Sequence, residues 1–482
     1  MKIHIKIPQL IAFFVSAIVM CILVVCGKNV LFCAALFLWI NLIVYTLDNL
    51  EQRSVLFGFL LTFFLFLMGR DFLEIFFNYK IERFTEKANN HAYIVYLISL
   101  ITIFVLYPLF SSLKTNKSKN VTIDNLFDDD AQKSALIFFY LTIGFAIAAK
   151  IVVVMFVSGR SYMEYYTDYS SYTSNNPVIT FINLIERMMP VTLSAFLATM
   201  PTKRQLKTPL FFYFIYLIVS LGTGARSTAM LGLLFVLVYF LFRQATDKDE
   251  TWVSSKMIFG LLVAIPLLAI TGTAINYLRM GDSTKNLNVF NAFLDFFYDQ
   301  GVTSNIIKRA YIYKNSIPDD ILYTLEFLRS GIFARILGYH VYYGNSIGRA
   351  LYGGSFAHTI GYLILGSQYL AGKGTGSSFL AEFYQDFGYL GCVLGVSIYT
   401  LLMANIINVN KLNKNVWLRC IQIYLIQRIF WAPRGSFSDI INSVISVPTL
   451  VIIFLMYLAS LIIKKRRSRD VLEQENKRRS VI

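Results

Sequence analysis

Long apolar runs, separated by short polar stretches, are the dominant pattern along the chain. About twelve runs approach the roughly twenty residues that a helix needs to cross a hydrocarbon core of about 30 Å. Buried backbone groups in lipid must bond within their own segment, so such runs predict membrane-spanning helices. The runs cover approximately residues 8–26, 29–47, 54–69, 92–113, 135–158, 178–200, 208–221, 228–242, 257–275, 389–407, 416–431 and 440–463. The pattern therefore predicts an all-α polytopic membrane protein.

The spacing of the runs divides the chain into four parts. Nine predicted spans occupy residues 1–275, a long outer segment follows at 276–388, three spans occupy 389–463, and a basic tail covers 464–482. The long segment contains amphipathic stretches such as 321–337, which suit helices at the outer membrane–water interface. Its apolar stretch at 356–370 is too short for a span, so we expect a re-entrant or interfacial helix there.

Composition supports a membrane protein and excludes other classes. Hydrophobic residues make up 56% of the chain and charged residues only 15%. The 42 Phe and 30 Tyr, with only 10 Pro, are not typical of disordered chains. The net charge of +16 rests on too few charged residues to indicate a nucleic-acid-binding protein, so we expect no nucleic-acid partner. The five Cys lack the spacing of a metal site or a disulfide framework.

The basic residues indicate which side of the membrane each loop faces. Short cytoplasmic loops collect Lys and Arg, and with Lys2 and Lys6 placed inside, about 23 basic residues fall inside against about 8 in the short outer loops. This bias predicts cytoplasmic N- and C-termini. The basic tail then acts as a topology and anionic-lipid signal.

Three arginines near predicted outer helix ends are the strongest candidates for chemistry. Arg226 follows a glycine-rich turn at 222–224 and opens the eighth span, where free N–H groups and a guanidinium together suit a phosphate. Arg279 lies just beyond the ninth span and Arg434 just beyond the eleventh. Each alone could simply reach lipid headgroups, whereas together they would line one anionic site.

Charged residues inside spans are costly unless they face the bundle interior or an aqueous cavity. Lys150, Glu186, Arg187 and Arg428 are such residues, and the Glu186–Arg187 pair precedes a predicted kink at 188–190. The pair could hold helices together or line a cavity. We interpret Arg419 as reaching the cytoplasmic headgroups, and Asp71 beside Arg70 as a local pair at a helix end.

The end of the long segment carries its densest motif. Glycine-rich stretches at 353–359 and 372–376 surround His358, and a predicted helix from Ser378 places Glu382 and Asp386 on one face. The four His are unclustered, so we expect no zinc site. The chain contains neither a Walker loop nor a dinucleotide-binding turn. Glu382 suits either a catalytic role or a local capping role.

These motifs resemble the O-antigen polymerase (Wzy) family. The Arg226 turn, the His358 segment and residues 374–388 carry the resemblance, and the span number and the large late outer loop are also similar. The resemblance implies a glycosyltransferase of the bacterial inner membrane that transfers a growing glycan from undecaprenyl diphosphate to a lipid-linked repeat unit at the outer leaflet. It implies no nucleotide, metal or other cofactor.

The resemblance also implies roles for the candidate residues. Arg226, Arg279 and Arg434 would bind and stabilise the diphosphate. His358 is the favoured base for the acceptor hydroxyl, while Glu382 would orient an arginine, hydrogen-bond acceptor hydroxyls or have a structural role. The expected partners are undecaprenyl-diphosphate-linked glycans, membrane lipid, and a chain-length regulator and a flippase of the same pathway. The alternative is a transporter or flippase of lipid-linked oligosaccharide, which the lack of an internal repeat disfavours.

Overall fold

Helices form all regular elements of the part of the chain that the computed structural model describes, which is residues 7–113, 126–157, 168–169, 172–173, 175–224, 226–247, 249–280, 288–406 and 413–479. In chain order, the helices of six residues or more, apart from one 3₁₀ helix in the long segment, are α1 (Ile7–Val25), α2 (Val30–Leu47), α3 (Ser54–Phe77), α4 (Glu86–Ser112), α5 (Asp129–Val157), α6 (Pro177–Ala198), α7 (Lys203–Gly222), α8 (Arg226–Thr246), α9 (Ser255–Met280), α10 (Val289–Gln300), α11 (Thr303–Ile312), α12 (Gly331–Leu337), α13 (Ile347–Tyr352), α14 (Phe356–Leu365), α15 (Phe379–Ile406), α16 (Val416–Trp431), α17 (Ser438–Ile445) and α18 (Val447–Arg479). Lys2, Lys6 and the predicted cytoplasmic loops at 114–125 and 407–412 lie outside the described residues.

Ten of these helices are long and apolar enough to cross a membrane, namely α1 to α8, α15 and α18. The predicted all-α polytopic fold is therefore confirmed. The two remaining predicted spans correspond to α9 and α16. Helix α16 has 16 residues, which at 1.5 Å per residue gives about 24 Å. The number of about twelve spans stays a prediction.

The centre of the bundle is built from α4, α6, α15 and α16. Helix α4 packs along α15, while α16 packs along the second half of α6. Their contact faces bury Tyr96, Ala195, Tyr399 and Phe430 almost completely. Helix α1 lies at the edge against α2 and leaves most of its apolar side chains exposed, as suits a helix surrounded by lipid.

Helix α6 is interrupted at the predicted kink. Its first half ends at Glu186 and its second half begins at Met189, with Pro190 in the first turn. The Lys150 ammonium lies 2.7 Å from the Glu186 carboxylate, so this pair connects α5 to α6. This contact favours the helix-holding interpretation over a cavity-lining one.

Two interpretations of buried charges were wrong. Asp71 pairs with Lys308 of α11 at 2.5 Å, while Arg70 pairs with Glu82 at 2.9 Å. The local Arg70–Asp71 pair does not form because α11 inserts beside α3 and supplies a closer cation.

Arg419 does not reach the headgroups. Its side chain is fully buried and donates to the carbonyls of Ala198, Leu126 and Asn413 at 2.5, 2.6 and 2.8 Å. Carbonyls at helix ends and in loops lack partners within a helix, so one guanidinium satisfies several of them at once.

The long segment between α9 and α15 is helical but broken. The stretch 321–337 forms a short 3₁₀ helix at Tyr323–Arg329 and then α12, because Ser330 adopts an extended backbone. Helix α11 is buried against α4. Helix α14 has 10 residues, about 15 Å, and its position relative to the membrane stays a prediction.

The predicted boundary at residue 389 differs from the observed helix. Helix α15 begins at Phe379 and bends at Gly388, where φ is +61°. The apolar run that located the span starts after this bend, while the helix start that the sequence predicts at Ser378 lies one residue before the observed one. The turns before the bend carry Glu382 and Asp386.

Candidate active site

Arg226 is the first residue of α8, as the sequence predicts. The turn before it places Gly224 at φ +81°, a conformation that favours glycine, and the Arg226 N–H donates to the Gly224 carbonyl. One Arg226 nitrogen lies 3.0 Å from the Asp299 carboxylate, and another lies 3.5 Å from the Thr273 hydroxyl. The Arg226 side chain is 11% exposed and that of Asp299 is 37% exposed. The pair thus lies at the edge of the packed interior.

Helix α9 approaches Arg226 closely because Gly272 has no side chain. A β-carbon at position 272 would lie 2.8 Å from Cγ and 2.9 Å from Cδ of Arg226. Glycine therefore allows the arginine side chain to pass along α9 towards Asp299.

Arg434 reaches the same end of α10 from a different direction. It follows α16 in a single 3₁₀ turn, and its Nη1 donates to Oε1 of Gln300 at 2.9 Å. Its guanidinium also lies 5.6 Å from the Phe66 ring centroid. The structure thus brings Arg226 and Arg434 to adjacent residues, Asp299 and Gln300, at the negative end of a helix dipole.

Arg279 belongs to the last turn of α9, which extends to Met280. Its side chain lies outside the described part of the structure. Its place beside Arg226 and Arg434 stays a prediction.

Glu382 is fully buried in the first turn of α15. One carboxylate oxygen accepts from the Ser377 hydroxyl at 2.6 Å, and the other accepts from the Phe437 N–H at 2.8 Å. The second oxygen also lies 3.2 Å from the Ser436 hydroxyl. Glu382 thus anchors the segment between α16 and α17, which also carries Arg434.

The sequence analysis missed a further carboxylate, Glu326. It lies on the 3₁₀ helix Tyr323–Arg329, and its Oε2 is 3.1 Å from the Ser436 hydroxyl. Burial raises the pKa of the Glu326 carboxyl to about 7, and the nearby negative charge of Asp439 acts in the same direction. The only sequence signal was a lone acidic residue in an amphipathic stretch.

His358 lies on α14, and its Nδ1 is 2.9 Å from the Tyr369 hydroxyl. Burial lowers the pKa of His358 to about 4, and the positive charge of Arg349 adds to this effect. His358 is therefore neutral near pH 7. The positive charge of Arg349 lowers the pKa of both His358 and Glu326, and the Ser355 side chain, which precedes α14, also lowers the pKa of Glu326.

A family model for the O-antigen polysaccharide polymerase Wzy matches residues 5–467, nearly the whole chain. The chain belongs to this Wzy family. No curated protein and no solved structure matches the chain. The sequence resemblance to Wzy is therefore confirmed, and the match spans Arg226, Glu326, His358, Glu382 and Arg434.

As a Wzy polymerase, the protein is a multi-pass membrane protein that polymerises O-antigen repeat units. It acts on lipid-linked oligosaccharides with a glycosyltransferase type of activity. This membership favours the polymerase over the transporter alternative. In this Wzy chain, Arg226 and Arg434 contact adjacent residues at the end of α10, and the carboxylates of Glu326 and Glu382 lie beside the Ser436 hydroxyl.

Proposed function

We propose that this Wzy polymerase transfers a growing glycan from undecaprenyl diphosphate to a lipid-linked repeat unit at the outer leaflet of the bacterial inner membrane. The convergence of Arg226 and Arg434 on Asp299 and Gln300 is the observation that supports it. In this reaction the bond between the anomeric carbon and the diphosphate breaks, and the acceptor hydroxyl forms the new glycosidic bond. The hydroxyl proton passes to a base, and the diphosphate departs with the electron pair.

Guanidinium groups suit the departing diphosphate. Negative charge grows on the leaving group in the transition state, and fixed cationic donors stabilise it. Arginine offers paired N–H donors that match phosphate oxygens, whereas lysine offers a point charge. The two guanidiniums, from α8 and from the turn after α16, contact adjacent residues of α10, which supports their binding one diphosphate. Arg279 of α9 is the third proposed member of this group.

Asp299 holds Arg226 in position for this role. Its side chain is 37% exposed, so the ion pair is accessible from outside the packed interior. A diphosphate carries more negative charge than a carboxylate and competes with Asp299 for the same donors. Arg226 would then exchange one anionic partner for another.

Glu382 and His358 are assigned different roles in this proposal. Glu382 has no exposed surface and is occupied by Ser377 and Phe437, so it acts as a positioning residue for the segment that carries Arg434. His358 is neutral near pH 7 and only partly buried, so it can bind an acceptor hydroxyl by hydrogen bonding. Its low basicity makes it a weak proton acceptor.

Ion pairs at one end of the bundle support the proposed orientation. Arg467, in the basic part of α18 that follows its apolar part, lies 3.0 Å from Asp130 and 3.3 Å from Asp129 at the start of α5. The basic part of α18 and the start of α5 therefore lie on the same side of the bundle. The distribution of Lys and Arg assigns both of them to the cytoplasm. We further propose that a chain-length regulator and a flippase of the same pathway act with this polymerase.

Polymerisation by the purified protein tests the proposed function. The substrate is the undecaprenyl-diphosphate-linked repeat unit, extracted from cells that lack the polymerase. We expect a ladder of lipid-linked glycans and release of undecaprenyl diphosphate without any nucleotide sugar. If the wild-type protein leaves the repeat unit unchanged but exchanges it across vesicle membranes, the transporter alternative is correct instead.

A further inference from the structure

Ser436 lies between two carboxylates. Its hydroxyl oxygen is 3.1 Å from Oε2 of Glu326 and 3.2 Å from Oε2 of Glu382. A hydroxyl has one proton and therefore donates to only one of these oxygens. The second carboxyl can form a hydrogen bond with the Ser436 oxygen only by donating an O–H, so that carboxyl must carry a proton. The arrangement thus favours one proton held jointly by Glu326 and Glu382.

The two carboxylates differ in what they can reach. Glu382 is fully buried and already accepts from Ser377 and Phe437. Glu326 keeps part of its surface exposed on the seven-residue 3₁₀ helix, and another neighbour of its side chain is Ser355, just before α14. Helix α14 carries His358, the proposed acceptor-binding residue. Glu326 is therefore the member of the pair that can meet a sugar hydroxyl.

Charged groups from several elements surround Glu326. Glu382 faces it from α15 and Asp439 from α17, while Arg349 of α13 opposes them. Arg428 of α16 offsets part of the charge of Asp439. Burial has the largest effect on the pKa of Glu326, and the negative charge of Asp439 outweighs the positive charge of Arg349, so both burial and the nearest charges favour proton uptake by Glu326. A carboxylate with a pKa near 7 has the basicity that suits a general base at neutral pH.

The same chain segment connects Glu326 to the arginine site. Ser436 is two residues beyond Arg434, and two trans peptide units span at most about 7.6 Å between Cα atoms. The hydroxyl that contacts both carboxylates and the guanidinium proposed for the diphosphate are thus carried by one short loop. A donor and an acceptor that meet at this loop would place the attacking and departing oxygens within reach of the two groups.

We propose that Glu326 is the catalytic base, which takes the proton of the acceptor hydroxyl as that oxygen attacks the anomeric carbon, and that Ser436 and Glu382 hold Glu326 in place. The proposal rests on the polymerase function above. The hydroxyl proton moves to the Glu326 carboxylate, the diphosphate leaves with the electron pair, and Glu326 returns its proton to water between cycles.

Polymerisation kinetics of Glu326→Gln test the catalytic role. With the purified full-length protein and the lipid-linked repeat unit, we expect kcat to fall by about 10²- to 10⁴-fold while KM changes by less than about threefold. The wild-type rate should decline as the pH falls below about 7, since the base must be ionised. This acid limb should be absent from the residual activity of Glu326→Gln and should persist in Glu326→Asp. Wild-type kcat in Glu326→Gln, or an unchanged acid limb, would overturn the proposal.

Asp319→Asn is the matched control. Asp319 is an exposed carboxylate seven positions before Glu326, so its replacement removes one negative charge from the same loop. We expect wild-type kcat and the wild-type acid limb in this variant. An equal loss in Asp319→Asn and Glu326→Gln would show a general charge effect and contradict a specific base.

A measurement without turnover separates this inference from the proposed function. Because the folded protein raises the pKa of Glu326 from 4.5 to about 7, ionising Glu326 destabilises the fold progressively between these pH values. The melting temperature of Glu326→Gln relative to wild type should therefore rise from pH 5 to pH 8. If the melting temperatures of the two proteins change with pH in parallel, the proton shared by Glu326 and Glu382 is contradicted, even when polymerisation is observed. Absence of polymer from the wild-type protein would instead overturn the proposed function, and the catalytic role of Glu326 with it.

Discussion

Asp299 accepts a hydrogen bond from Arg226 at 3.0 Å, across 73 positions of the chain. The next residue, Gln300, accepts from Arg434 across 134 positions. The end of α10 therefore connects the start of α8 to the turn after α16. This relationship brings two arginines that are distant in sequence to the same end of one helix.

Replacement of Arg226 tests its contact with the diphosphate. We expect Arg226→Lys to lower polymerisation by about 10²-fold, since lysine keeps the charge but loses the paired donors. Glycan length in cells and turnover by the purified protein are the measurements. Arg335→Lys, on the exposed face of α12, is the control and should make long chains. Long chains in Arg226→Lys as well would remove Arg226 from the site.

Asp299→Asn distinguishes a structural ion pair from a substrate-binding arginine. If Asp299 only holds Arg226 in place, the variant should keep at least about a third of the activity, because Arg226 remains available to the diphosphate. A loss of activity as large as that of Arg226→Lys, with a matching drop in melting temperature, would show that the fold requires the ion pair itself.

Gly272→Ala displaces Arg226 without changing any charge. The added methyl group would lie 2.8 Å from Cγ of Arg226, so the side chain must move away from Asp299. We expect polymerisation to fall by at least about tenfold while the protein still accumulates in the membrane. Gly260→Ala in the same helix has no neighbour within 4 Å and should be active. Equal activity of the two variants would mean that the position of Arg226 is unimportant.

The buried pair of Lys308 and Asp71 should stabilise the fold. Their side chains are 1% and 0% exposed, and removal of one partner of a buried pair typically costs about 3–5 kcal/mol. Lys308→Met should therefore lower the melting temperature markedly, and the double variant with Asp71→Asn should recover part of the loss. Arg309→Met is the control, because its pair with Glu82 is 24% and 30% exposed and contributes about 0–1 kcal/mol. Similar losses in both single variants would contradict the assignment.

His358 should not determine the pH dependence of the reaction. Its folded pKa of about 4 lies below the usual 6.5, so its neutral form stabilises the fold above pH 6.5 and that contribution is lost as the pH falls towards 4. His358→Gln should raise KM for the acceptor and keep the acid limb of the rate profile. If the limb disappears in His358→Gln, the base is His358 rather than Glu326.

The orientation of the loop can be measured directly. Tyr343, which is 75% exposed in the segment between α12 and α13, is suitable for replacement by cysteine in a cysteine-free background. A membrane-impermeant maleimide should label Tyr343→Cys from outside the cytoplasmic membrane. Lys465→Cys, exposed on α18, should react only after the membrane is opened. The reverse pattern would invert the topology and move the site to the cytoplasm.

Local properties of the sequence account for what was predicted correctly. The length of an apolar run is set by neighbouring residues, so the spans and the fold class were evident from pattern alone. The kink before Pro190 and the helix start at Arg226 were found for the same reason, because backbone restriction and helix capping act within a few residues. Each of these features depends on a short window of the chain.

The partners of the charged groups depend on how the helices pack. Lys308 rather than Arg70 binds Asp71, three backbone carbonyls rather than lipid bind Arg419, and Ser436 lies between Glu326 and Glu382. Apart from the contact of Arg419 with Asn413, six positions away, these contacts join residues that are 54 to 293 positions apart, so no spacing along the chain indicates them. A buried charge takes whichever partner the packed helices present, because the cost of leaving it unpaired in a medium of low dielectric constant exceeds any local preference. The pattern of apolar runs along the chain was therefore sufficient to locate the candidate spans, whereas the assembled bundle was needed to show which polar groups meet.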